Sequence, residues 1–244
     1  MNLVTISKPI WAYGIEELPG LLPEKNPKAK TVAFAQLTLP DHDNTEELRK
    51  QPEEAIGRLT RGIPLWLADS LYFSPQYTTS AAIGMVGQEH YMLFPAAWTT
   101  ENIRQLIETS GSPIDYVVTG ELREDEGDYH LSLRLWEIKG FRERKTFEVR
   151  WTPGNADQVL GQLHEHLRLY FECQEGPGLP FEPAPRSLAW IDTLGASLSA
   201  FLVEKSVLPR EQLSALPANL VDPSATTAAA LARLGDLYVN DAFS

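Results

Sequence analysis

Four groups of residues in this chain have the types and spacing that chemistry requires. His164-Glu165-His166 offers metal-ligating side chains, but helix residues two apart point about 200° from each other, so both imidazoles cannot face one ion. Asp41-His42-Asp43 follows a strand end, where open α/β sheets place sites. No fourth ligand stands at a recognisable spacing, and loop capping accounts for both aspartates. Glu124-Asp125-Glu126 with Asp128 makes an acidic hairpin tip that reads as a solvated turn. The fourth group is a set of alternating charges, Glu121, Arg123, His130, Arg134, Glu148 and Arg150, which strand periodicity places on one face of a sheet with Trp136 beside them. Phosphate-loop, nucleophile-elbow and His-Glu-x-x-His patterns are missing from the sequence, so no nucleophile–base pair is legible. The residues favour a binding protein over an enzyme, with no cofactor and no metal expected. Arg123, Arg134, Trp136, Glu148 and Arg150 are the candidate partner-binding residues, Trp136 as the apolar anchor.

Composition narrows the partner. The 244 residues carry 33 acidic against 21 basic side chains, a formal net charge of −12, which disfavours nucleic acid. The dense basic run Arg142–Lys145 reads as part of a hairpin turn. A single cysteine, Cys173, excludes an internal disulfide. No apolar run is long enough for a spanning helix, and residues 1–20 lack a signal-peptide pattern. A cytoplasmic location is expected, or a periplasmic one if a leader has been removed.

The elements that must position these groups follow from periodicity. Residues 1–30 form an arm with a short strand at Leu3–Ile6, and Trp11 beside Pro9 is placed to pin it to the body. Thr31–Leu39 reads as a buried strand, Thr45–Leu71 as a helical stretch in which Pro52 and Pro64 must mark a start or a kink, and Ala81–Val86 as a second strand. Thr99 or Thr100 caps a helix with Ile103, Leu106 and Ile107 inward. Asp115–Trp151 is a three-stranded antiparallel meander turning at Glu126-Gly127-Asp128 and Lys139-Gly140-Phe141. A helix over 155–171 then buries Val159, Leu160, Leu163, Leu167, Tyr170 and Phe171. The fold class expected is α+β: a two-layer arrangement of mixed sheet, ending in the meander, with helices on one face and an all-helical C-terminal segment. The expected division is an arm (1–30), an α/β domain (31–175), a Pro/Gly-rich linker (176–186) and a helical, repeat-like segment (187–244).

Leu67-Ala68-Asp69 on the long helix, the strand onset Ile114-Asp115-Tyr116-Val117-Val118-Thr119-Gly120-Glu121-Leu122, the Gly-Asp turn and Tyr129-x-Leu131-x-Leu133-x-Leu135 together resemble the amino-terminal domain of TolB and the related CsgG and FlgO groups. The resemblance covers about residues 30–172. It implies a non-catalytic docking module of a bacterial protein, acting as an adaptor or scaffold, and names no partner. TolB itself continues into a β-propeller, which this chain does not show. Gly120 is expected to admit a helix packed closely over the sheet. Leu231–Tyr238 resembles the first helix of a tetratricopeptide repeat, and Ile191-x-x-Leu194-Gly195-x-x-Leu198 repeats its pattern, which implies self-association or partner contacts through a helical tail. The alternative function is a small-molecule or nucleotide sensor with its ligand beside Asp41–Asn44 and Ser80–Gly87.

Overall fold

The computed structural model describes residues 2–15, 17, 20–40, 55–109, 111, 113–176, 184 and 186–213. Within them the chain runs β1 (Asn2–Ile6), a 3-10 turn at Ile10–Ala12, β2 (Lys30–Ala35), α1 (Ala55–Tyr72), β3 (Tyr77–Val86), β4 (His90–Tyr91), α2 (Thr100–Thr109), β5 (Tyr116–Asp125), β6 (Asp128–Glu137), β7 (Arg142–Trp151), α3 (Ala156–Tyr170) and α4 (Ser187–Glu204). The seven strands form one mixed sheet in the order β1-β3-β2-β5-β6-β7, with β4 on the end of β3. The central strands β3, β2 and β5 are parallel, β1 is antiparallel to β3, and β5–β7 form the antiparallel meander. The class is α+β, as the periodicity implies. Asp41–Asn44, Thr45–Glu54 and 214–244, with the Leu231–Tyr238 pattern, lie outside the described residues.

Each local feature has a residue-level cause. The β5–β6 turn is two residues, Glu126 and Gly127, both at positive φ (52° and 88°), the geometry that matches strand twist in a tight hairpin. Thr99 caps α2: its hydroxyl accepts the Asn102 N–H at 3.2 Å. Pro64 sits inside α1. Having no N–H, it leaves the Thr60 carbonyl without its intrahelical donor, and the Leu37 N–H fills that place at 3.0 Å. The expected strand Thr31–Leu39 therefore ends at Ala35. Beyond it the N–H groups of Leu37, Thr38 and Leu39 donate to Thr60, Gly120 and Phe94, on three different segments.

The larger core lies under α1, α3 and α4, where Phe34, Val118, Leu131, Leu133 and Leu135 meet Ile63, Trp66, Leu160, Leu163, Leu194 and Leu198. The expectation of helices on one face holds for these three. The fourth, α2, covers the opposite face, because Ala33, Ala82, Val117 and Trp136 make a second apolar patch that Trp98, Ile103 and Leu106 close. Gly120 also differs from expectation. A Cβ there would meet Ser132 O at 2.7 Å and the Leu133 and Leu37 side chains at 2.8 and 2.9 Å, so the close approach is by a neighbouring strand and the post-β2 segment, not by a helix.

Helix α4 follows the Pro/Gly-rich stretch 176–186, yet Ile191, Leu194, Leu198 and Leu202 share the larger core with α1. The contact is backbone-close. A Cβ on Gly62 would lie 2.3 Å from the Ile191 carbonyl oxygen, and one on Gly195 2.9 Å from that of Arg58. Arg58 adds an ion pair to Asp192 at 2.8 Å. Gly195 thus serves a crossing with α1, an element some 130 residues upstream. Gly62→Ala should force the two helices apart and destabilise by about 1–3 kcal/mol. Gly161→Ala on α3 meets nothing within 4 Å and should be neutral or stabilising by up to about 1 kcal/mol. Urea unfolding of the pair checks the contrast.

Candidate partner-docking surface

The meander presents two different faces because its side chains alternate. Tyr129, Leu131, Leu133 and Leu135 of β6 point into the larger core with Phe147, Val149 and Trp151 of β7. The opposite face is covered by α2 only near Val117 and Trp136. Beyond that cover the cross-strand register sorts the charges into rows. Arg123 stands opposite His130, and His130 opposite Arg150; in the next row Glu121 stands opposite Ser132, and Ser132 opposite Glu148. Arg134 follows, between Thr119 and Thr146. Arg123, Glu148 and Arg150 are exposed, and His130, Ser132 and Arg134 half-buried.

Local pairing consumes part of this charge. Arg134 reaches Glu143 through Nε at 2.9 Å and Nη2 at 2.7 Å. The Thr146 hydroxyl and then Arg134 hold the Glu143 carboxyl below the usual carboxylate range. Arg142 and Arg144 both bind Glu137, at 2.9 and 3.3 Å, and the Arg142 hydrogen bond leads in lowering that carboxyl. Arg123 meets Glu121 at 3.3 Å along its own strand. No carboxylate of the described residues pairs with Arg150.

Of the five residues expected to bind a partner, Arg123, Glu148 and Arg150 lie open on one face, with Arg134 beside them. Trp136 does not join them. Its side chain is 7% exposed beneath α2, its indole N–H donates to the Thr119 hydroxyl at 3.1 Å, and the Arg134 guanidinium lies 4.9 Å over its ring. A β-bulge between Leu135 and Trp136 accompanies this placement, and Trp136 is a core residue of the second apolar patch rather than an anchor for a docked segment.

The other chemistry-bearing groups separate. His164 is 2% exposed and packs on Trp66 with tilted rings, centroids 5.5 Å apart, while His166 is exposed, as the helical geometry implies. Among the described residues no cluster of His, Cys, Asp and Glu could hold a metal ion. His130 has Arg123 and Arg150 for cross-strand neighbours and no carboxylate opposite it. Asp41-His42-Asp43 lies outside the described residues. Of the small-ligand site expected beside Asp41–Asn44 and Ser80–Gly87, the first segment lies outside the described residues, and in the second Gly84 is hydrogen-bonded by the protein itself. The Gln36 side chain donates to Met92 O at 2.8 Å and accepts the Gly84 N–H at 3.0 Å, and the buried Trp98 donates to Gln36 O at 3.1 Å.

One feature escaped the periodicity. Tyr170, expected inward, is 43% exposed, and Leu169 beside it is 73% exposed. With Leu163 and His166 of α3 they face Lys145–Val149 of β7 across a groove of about 530 Å³. An apolar residue one step off the buried stripe of α3 was its signal. The basic run 142–145, expected in a turn, belongs to β7, and the turn closes at Phe141, whose φ is 47°.

No protein-family model matches the chain, and no curated protein sequence does. Among solved structures, TolB from Acinetobacter baumannii overlaps at 10% identity and a TM-score of 0.28, covering 61% of this chain and 27% of that one. A neuraminyllactose-binding hemagglutinin homologue from Helicobacter pylori overlaps at 12% identity and a TM-score of 0.29, covering 62% of this chain and 86% of that one. TolB is thus among the chain's distant structural neighbours, although the overlap spans about a quarter of it. No helix of the described residues is long and apolar enough to cross a membrane.

Proposed function

We propose that this chain is a non-catalytic protein-interaction module, an adaptor that docks a partner on the uncovered charged face of the β5–β7 meander. The observation that carries this reading is the row Arg123–His130–Arg150, three basic side chain types directly opposite one another on adjacent strands. Arg123 already meets Glu121 along its own strand, whereas Arg150 has no carboxylate among the described residues, so the row offers an anionic group of a partner its place beside Arg150. The acidic row beside it, Glu121 and Glu148, then sets register, since a partner must present a carboxylate row and a basic row at strand spacing.

Arg123→Glu/Arg150→Glu replaces two exposed side chains and should leave folding intact. Affinity capture from source lysate should return reproducible proteins with the wild type, fewer as salt rises through the physiological range, and none of them with the double variant. Capture that is equal for both forms, or indifferent to salt, would remove this face from the function.

A further inference from the structure

The sheet ends at β7, and no strand among the described residues pairs with its outer edge. From Lys145 to Trp151 the strand is regular, since pairing with β6 runs unbroken from Leu135↔Lys145 to Tyr129↔Trp151 and the irregularity lies beyond, at Leu135/Trp136. Such an edge carries outward N–H and C=O groups that template another strand. Helix α3 lies beside this edge. Leu169 and Tyr170 have their apolar surface over the groove, Phe147 meets the Tyr170 ring edge-on at 5.7 Å, and Val149 lies along the floor. The helix layer therefore offers apolar cover for one more strand than the described residues supply.

We propose that β7 accepts an extended segment of a partner protein by strand addition, and that this segment alternates apolar residues and ends its groove-facing row in a carboxylate. The pattern follows from what each position of β7 would face. Residues opposite Phe147 and Val149 lie on the groove side, under Leu169 and Tyr170, and must be apolar. The residue opposite Lys145 shares that side. Lys145 is exposed, its ammonium lies 6.0 Å over the Phe147 ring, and no carboxylate of the described residues pairs with it. Residues opposite Thr146 and Glu148 fall on the other side and suit hydroxyls. Main-chain hydrogen bonds supply the attraction, and the alternate side chains supply the selection.

Charge decides between a foreign segment and a second copy of this chain. β7 carries four basic residues, Arg142, Arg144, Lys145 and Arg150, against two acidic ones, Glu143 and Glu148, in a chain whose net charge is −12. Pairing two β7 edges would bring two locally positive strands together, whereas an acidic segment is complementary. This surface is distinct from the open charged face, so either proposal survives failure of the other.

The probe is a fluorescein-labelled heptapeptide, Thr-Val-Thr-Leu-Thr-Glu-Thr, whose register places Leu opposite Phe147 and Glu opposite Lys145 in antiparallel pairing. The controls are Thr-Val-Leu-Thr-Thr-Glu-Thr, in which the apolar residues fall on opposite faces, and a version with Lys for Glu. Fluorescence anisotropy should show saturable binding of the first peptide and at least tenfold weaker binding of the second. Leu169→Asp should weaken the first about tenfold or more, as expected for loss of one apolar side chain from the groove. Lys145→Glu should reverse the preference between Glu and Lys peptides, and Arg123→Glu should change nothing. Absence of saturable binding, equal binding of the shuffled peptide, or indifference to Leu169→Asp would overturn the proposal. So would a wild-type dimer in sedimentation that Leu169→Asp converts to monomer, because a second copy would then occupy the edge.

Discussion

Trp11→Ala is expected to destabilise the protein by about 3–5 kcal/mol, in the range for truncating a buried tryptophan. Trp11 is 8% exposed, stacks on Phe73 with centroids 6.3 Å apart, and donates its indole N–H to Asp69 Oδ2 at 3.2 Å. Asp69 is itself only 5% exposed, so the substitution also removes a donor from a buried carboxylate. Trp11→Phe keeps most of the ring area and loses only that hydrogen bond, and should cost about 1–3 kcal/mol. Because domains of this kind are stable by about 5–15 kcal/mol, the alanine variant loses a large share of the total. Urea unfolding measures both. A loss under about 1 kcal/mol for Trp11→Ala would mean that the N-terminal arm is not part of the cooperative fold.

The second large effect is a weakening in acid traceable to one imidazole. Burial, and then the nearby Arg168, lower the His164 pKa from 6.5 to about 4. The neutral imidazole is thus favoured by folding, and the unfolded chain binds the proton first as pH falls. The contribution is fully present above pH 6.5 and is lost progressively as pH falls through 6.5 toward 4, amounting to roughly 3 kcal/mol over that span. Carboxylates held low by partners, such as Glu143, add a slope of the same sign at lower pH. His164→Gln removes the titrating group, so the wild-type-minus-variant stability difference should shrink by roughly that amount between pH 7.5 and 4.5. A difference independent of pH would show that the imidazole titrates alike in both states.

Much of this architecture is readable from residue patterns, and the exceptions have physical causes. The meander, its turns and its buried face follow from period-2 alternation between Tyr116 and Trp151, and Thr99 marks a helix start by its side-chain chemistry. Trp136 breaks the alternation because α2 crosses to the other face, a long-range event that no local pattern encodes. The strand after Lys30 looked longer than it is because Gln36–Leu39 keep a buried, apolar-rich character while their N–H groups go elsewhere. The Pro/Gly-rich stretch 176–186 reads as a boundary by composition, yet α4 shares a core with α1, since Gly62 and Gly195 let two distant helices touch. Tyr170 shows the converse error. It continues the apolar end of α3 but reaches the sheet edge, where it meets the edge of the Phe147 ring of β7 and stays 43% exposed.

The charged face proposed for docking is legible in the sequence as a set of charges, although their ordering into rows depends on register. Once Arg123, His130 and Arg150 are known to be opposite, the face acquires a polarity that the list of residues lacks. The most direct test places a photo-cross-linking amino acid at Ser132, at the centre of that face, with the exposed Gln174 as the control position. Irradiation in source lysate should yield discrete, salt-sensitive protein adducts from position 132, absent from 174 and lost in Arg123→Glu/Arg150→Glu. Adducts no more abundant at 132 than at 174, or unchanged by the double substitution, would contradict the account.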